Sequence, residues 1–147
     1  MGKRDWTPWF CGLMLLLGWQ AAGLATTVEL KADERGHFLT RAAIDTTDLD
    51  VIIDTGASTV VLSQENAERV GLYPGKLDYV FPVATANGIV KCAEVTLRRV
   101  EVGAILLRDV KALVLPRGAF EGTLLGMSFL SRLKGFRVRD GVLVLEK

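Results

Sequence analysis

Among the acidic residues of this sequence, Asp54 stands in the setting best suited to chemistry. It follows Val51-Ile52-Ile53 and precedes Thr55-Gly56-Ala57-Ser58. A carboxylate placed directly after three β-branched residues is costly to leave charged in an apolar core, so it needs partners or a changed pKa. Gly56 lets backbone amides approach it, and Thr55 can hydrogen-bond locally. Such a group is suited to moving a proton to or from a water molecule. Taken alone, Asp-Thr-Gly is also an ordinary turn at the end of a strand.

Other reactive residues are sparse. Ser58 would need a base, and the only histidine is His37. His37 stands beside Gly36 and reads as a turn or strand residue. With two cysteines, Cys11 and Cys92, and one histidine, no Cys/His cluster has metal-ligand spacing. No metal or other cofactor is expected. Cys11 lies within an apolar N-terminal run, so Cys92 has no internal disulfide partner in the rest of the chain; it reads as a buried thiol in an apolar strand. The net charge of +1 lacks the basic excess that displaces counterions from phosphates, which argues against nucleic acid. Arg98–Arg99 and the stretch from Arg132 to Arg139 are diluted by Glu101, Asp109 and Asp140, and read as solvated faces.

The elements that must position Asp54 are mostly strands. Hydrophobic residues make up 50% of the chain, enough to fill a core. Val28, Leu30 and Ala32 alternate with polar residues, and Asp33-Glu34-Arg35-Gly36 supplies a turn, so residues 28–44 are expected to form a hairpin. Strands are expected at Leu49–Ile53 and Thr59–Leu62. Ser63 caps a short helix over Gln64–Val70, with Asn66 where a full capping box has Glu, and Gly71 ends it. Asn87-Gly88 sits between Val80–Ala86 and Ile89–Val95, a strong hairpin signal. A second hairpin turns at Gly103, and Val110–Leu115 is an apolar strand stopped by Pro116. Gly122–Gly126 leads into one or two helical turns over Met127–Leu133. Asp140-Gly141 joins a last hairpin, Phe136–Val138 with Val142–Leu145.

Taken together, Val51 to Ser58 and Thr59-Val60-Val61-Leu62 resemble the catalytic strand and following strand of aspartic proteases. Leu124-Leu125-Gly126, leading into Met127-Ser128-Phe129-Leu130, is similar to that family's second landmark, an apolar–apolar–Gly strand entering a short helix beside the active-site loop. Phe136 to Leu145 resembles the closing hairpin of bacterial single-domain members, many of which carry an N-terminal membrane segment. The resemblance, over residues 28–147, is to the retropepsin-like kind. It implies an all-β, single-lobe closed barrel with one or two short helices. Two-lobed members carry two Asp-Thr-Gly loops, whereas this chain has one: Asp45-Thr46-Thr47 lacks the glycine and Asp140-Gly141 the threonine. Like carboxylates held about 3 Å apart share one proton and split their pKa values, so a second Asp54 from a homodimer partner would complete the pair.

What the resemblance implies is an endopeptidase that hydrolyses an extended peptide or protein by carboxylate-activated water, without a covalent intermediate. Asp54 is the catalytic residue. Thr55 would reach across the dimer, Gly56 would supply an amide, and Ala57 and Ser58 complete the loop. Pro82 to Val90 falls where the family has its flap, with Thr85, Ala86, Asn87 and Gly88 at the tip, although the same hairpin also suits a plain surface turn. Ala57, Val114, Leu125 and Met127 are pocket or interface candidates, with core packing as their alternative role. The other reading is a non-catalytic dimer of the same fold that binds extended peptides or a partner protein.

The N-terminus carries Lys3 and Arg4, then an apolar run from Trp9 to Ala25 broken at Gln20. A positive start, a short apolar core and a small-residue exit make residues 1–25 a signal peptide, with cleavage after Ala25. As an uncleaved helix the run would be about 25 Å long, just short of the ~30 Å hydrocarbon core, with Trp6, Trp9 and Trp19 at its interfaces. Either way the 26–147 domain is expected outside the cytoplasm (in the periplasm of a two-membrane cell), released or held to the membrane.

Overall fold

A computed structural model describes residues 25–85 and 88–147. The expected leader or anchor and its apolar helix thus lie outside the described residues, apart from Ala25, as do Ala86 and Asn87. In chain order the elements are β1 (Thr27–Lys31), β2 (Phe38–Ile44), β3 (Thr47–Ile53), β4 (Val60–Leu62), α1 (Gln64–Arg69) and a 3-10 turn (Pro74–Lys76). There follow β5 (Phe81–Thr85), β6 (Gly88–Val102), β7 (Ile105–Val114), β8 (Thr123–Leu125), α2 (Met127–Leu130), β9 (Gly135–Arg139) and β10 (Val142–Glu146).

Alternation decides which side of each strand faces inward. In β3, Leu49, Val51 and Ile53 are buried while Asp48 and Asp50 are exposed. Val100, Val102, Ile105, Val110, Ala112 and Val114 do the same for β6 and β7. Each such valine, leucine or isoleucine side chain contributes roughly 1.5–3 kcal/mol on leaving water. Six strands, in the order β2-β3-β8-β4-β7-β6, close into a barrel because β6 returns to pair with β2 through Glu101 and Val100. β5 hangs on the first residues of β6, beyond the ring. A second sheet, β1-β10-β9, packs beside the barrel.

The closed single-lobe barrel with two short helices agrees with the fold expected from the sequence. The expected hairpin over residues 28–44 does not form. β1 pairs with β10 along its whole length, and β2 pairs with β3 over seven positions from Phe38↔Ile53 to Ile44↔Thr47. The reason lies at Asp45, which takes a positive φ of 51° and makes a two-residue turn far tighter than the loop at 33–36. Arg99 donates its backbone N–H to Asp45 Oδ1 at 3.0 Å, and Asp45 N–H donates to Arg99 O, which fastens that turn to the barrel. The Asp33 turn exists too. Its carboxylate accepts from the N–H of His37 (2.8 Å) and Arg35 (2.9 Å), bonds that hold its pKa below the usual value, but it redirects the chain between sheets.

The segments expected as a hairpin at Gly103 and a separate strand at Val110–Leu115 are one long β6–β7 ladder. Helix α1 is capped as expected: Ser63 Oγ accepts from Asn66 N–H at 3.2 Å. Asn66 does not reach back to the cap but donates to Thr123 Oγ1, which ties the helix to β8. At the other end Gly71 (φ 84°) and Leu72 donate to Glu68 O and Ala67 O, the paired bonds of a left-handed glycine stop.

Candidate active site

Two parallel register pairs, Ile52↔Leu124 and Ile53↔Leu125, set β8 alongside the end of β3. On its other side β8 runs antiparallel to β4. The segment 54–59 therefore bridges β3 and β4 above the end of β8. Asp54 N–H donates to Leu125 O at 3.2 Å, so the catalytic candidate is pinned to the second landmark through the main chain.

Gly126 shows how close this approach is. A Cβ there would stand 2.2 Å from Thr59 O and 2.6 Å from Ala57 O, both backbone atoms that cannot yield. The next residue, Met127, donates its N–H to Ala57 O at 2.8 Å. Ser128 accepts from Val60 N–H (2.9 Å) and donates to Lys111 O (2.7 Å), joining α2, β4 and β7 at one hydroxyl. The loop is thus held by main-chain and short-range bonds on both arms.

Within it, Asp54 Oδ1 accepts from Gly56 N–H at 2.8 Å. A Cβ on Gly56 would lie 3.1 Å from that same oxygen, so the absent side chain leaves the carboxylate its space. Asp54 is half-buried, and Thr55, Gly56 and Ser58 are exposed.

Asp54 borders two cavities. The larger, of about 540 Å³, is bordered by Asp54, Gly56, Ala57 and Ser58 below and by Val83, Ala84 and Thr85 of β5 above. Its walls are Val61, Leu113, Leu115, Phe120 and Leu124, with no second carboxylate among the described residues lining it. The smaller, of about 350 Å³, joins Asp54 and Thr55 to His37, Phe38, Phe136 and Val138. It likewise holds no other acid among those residues.

The structure thus brings together Asp54, Gly56, Ala57, Ser58, Leu124 and Thr85 at one cavity, while Thr55 turns to the other. Leu125 and Gly126 lie beneath as buried support, and Val114 is wholly core. Met127 is half-buried and packs against the core. Gly88 opens β6 opposite Thr85, with φ 109°, and Thr85 Oγ1 donates to its carbonyl at 2.8 Å. Ser58 and His37 face different cavities, and His37 lies 3.7 Å from Asp33, which removes the Ser–His reading. Cys92 is fully buried, and burial raises its thiol pKa. Among the described residues no cluster of acids, histidines or cysteines could hold a metal ion.

Sequence reasoning missed Phe120 and Ala119, which close the far wall of the larger cavity. They sit on the loop between β7 and β8, where Gly118 (φ 78°) and Gly122 (φ 98°) permit sharp turns. Arg117 anchors that loop to α1 through ion pairs of its guanidinium with Glu65 (3.3 Å) and Glu68 (3.7 Å) and by donating its backbone N–H to Gln64 Oε1. An aromatic residue between two glycines, just ahead of the Leu-Leu-Gly strand, was the available signal.

Comparison with known proteins follows the same geometry. Residues 40–132 match the family model described as "gag-polyprotein putative aspartyl protease". A Sinorhizobium protein known as the uncharacterized protein in cobV 5'region is 42% identical over 110 residues, 75% of this chain and 47% of that protein. The uncharacterized protein RP867 of Rickettsia prowazekii is 37% identical over the same share of each. The chain therefore spans about half the length of the curated relatives it matches. Among solved structures, a retropepsin-like aspartic protease from Rickettsia conorii aligns with a TM-score of 0.75 at 34% identity, covering 83% of this chain and 91% of that one. The EIAV protease complexed with the inhibitor HBY-793 aligns at 0.57 and 24% identity, covering 70% of this chain and 93% of the other, a likeness of fold alone. Since the matched span contains the Asp54 loop and the β8 landmark that supports it, this chain belongs to the retropepsin-like family of aspartic proteases.

Proposed function

We propose that the protein is an aspartic-type endopeptidase, active as a homodimer and working outside the cytoplasm. One observation carries this reading. Asp54 stands at the junction of two cavities with one oxygen held by Gly56 N–H, and neither cavity lining offers a second carboxylate among the described residues. The chemistry needs two acids. The ionised member of a close pair takes a proton from water as it attacks the peptide carbonyl, while the protonated member donates to the carbonyl oxygen. The second Asp54 comes from a partner copy, with Thr55 at the junction between the two loops.

The larger cavity suits an extended peptide. Its walls are apolar and its roof is the β5 arm, so side chains flanking the cut would be apolar and the strand would be shielded from water. The β5–β6 arm, with Thr85 and Gly88 paired at its end, would serve as the flap. The N-terminal segment would export the domain and, if uncleaved, hold it to the membrane.

The test compares the wild-type protein with Asp54→Asn on a denatured protein mixture across acidic to neutral pH. Cleavage by the wild type is expected to fall at least about 100-fold in the variant, the scale of general acid–base assistance. Equal cleavage by both would mark a contaminating protease. Failure of clean wild-type dimers to cut at any pH would instead leave a peptide-binding module.

A further inference from the structure

Part of the larger Asp54 cavity is a single register row. Ile53, Leu125, Leu62 and Val114 are buried in the barrel core, so Leu124, Val61 and Leu113, one residue off each, lie on the opposite face of β8, β4 and β7. They stand side by side and all three border the cavity. The row continues into β3 as Ile52, the register partner of Leu124, but Ile52 no longer borders the cavity. Phe120 and Ala119 do, from the loop between β7 and β8.

A further cavity, of about 470 Å³, lies on the other side of Phe120. Asp50, two residues before Ile52 and on the same face of β3, borders it, together with the polar side chains of Asn66, Arg69 and Glu121. Phe120 is the one described residue that borders both spaces, the apolar one at Asp54 and the polar one behind it. The loop that presents it is tied at both ends to the start of α1. Arg117 N–H donates to Gln64 Oε1 at 2.9 Å, and Gly122 O accepts from Ser63 N–H at 3.0 Å. Only residues 118–121 lie between these ties, so the ring has little room to withdraw.

We propose that Phe120 determines the specificity of the site: its ring is the wall between the two cavities and sets the largest side chain accepted beside the cut. This rests on the endopeptidase reading above. An aliphatic side chain of leucine size fits over the Val61 row without meeting the wall. A tryptophan at the same place has to push the ring toward the polar cavity, against the ties of its loop. Without the ring one space opens into the other, and the polar lining then offers partners to the indole N–H, which seeks one when buried.

The experiment uses the full-length chain on two peptides that differ only in one residue flanking the cut, leucine or tryptophan, with Asp54→Asn as the background. The ratio of the two kcat/KM values is read, because it is independent of the amount of folded enzyme. Wild type should favour leucine by at least about tenfold, the scale at which an apolar pocket discriminates by size. Phe120→Ala should bring the ratio to about one or reverse it, and Phe120→Leu, the milder change, should fall between. Glu121→Gln, which alters the polar cavity alone, should keep the wild-type ratio. A wild-type ratio near one, a ratio unmoved by both Phe120 variants, or a shift in Glu121→Gln equal to that in Phe120→Ala overturns the wall while leaving the endopeptidase standing. Absence of cleavage above background in the wild type refutes the endopeptidase reading and the wall with it.

Discussion

At the scale of single residues, the site depends on two glycines used for closeness rather than for unusual dihedrals. Gly56 spares the Asp54 carboxylate a contact at 3.1 Å, and Gly126 spares the Ala57 and Thr59 carbonyls contacts below 3 Å. The two should differ under substitution. Gly126→Ala presses on rigid main chain, so urea unfolding should show a loss of at least about 2 kcal/mol, in the range of overpacked cores or beyond it. An unchanged unfolding midpoint would mean that the loop and β8 are less tightly joined than these distances require. Asp54 is likewise defined by its surroundings: the same Asp-Thr-Gly on an exposed hairpin would be a turn.

At the scale of elements, the Asp54 loop is held by strands and a helix that are remote in sequence. β8 lies between β3 and β4, and α2 follows it directly. Ser128 is the hydroxyl that joins them, accepting from Val60 N–H and donating to Lys111 O. Ser128→Ala leaves both main-chain groups without that partner, and a loss of about 1–3 kcal/mol is expected from thermal or urea unfolding. Ser128→Thr keeps the hydroxyl and should recover most of it. If alanine and threonine behave alike, the hydroxyl is not what ties α2 to the loop. The β5–β6 arm differs in kind: Phe81 and Ile89 are 45% and 76% exposed, so its position over the cavity rests on its ladder more than on burial.

At the scale of the whole molecule, one chain supplies a closed barrel, a walled cavity and one carboxylate. The proposed activity then belongs to the dimer, and specific activity should fall on dilution as monomers separate. Activity per chain that stays constant far below the dimer dissociation constant would show a complete site in one copy. Among the described residues no helix is long and apolar enough to cross a membrane. N-terminal sequencing of the protein from membrane and soluble fractions distinguishes a retained anchor from a cleaved leader.

The local features of this protein were legible in the chain itself. Periodicity showed strands with a short helix, Ser63 and Gly71 marked the ends of that helix, and the family resemblance carried by Val51 to Ser58 and by Leu124-Leu125-Gly126 singled out the candidate site. The strand and helix signals are short-range, set by alternation, capping and turn chemistry within a few residues. Pairing between distant strands is not written that way. Only the folded chain decided that β1 joins β10 rather than β2, that β8 threads between the arms of the Asp54 loop, and that Phe120 reaches the cavity wall. Those choices come from which apolar faces bury one another across the whole barrel, a competition among all strands at once that no local window contains.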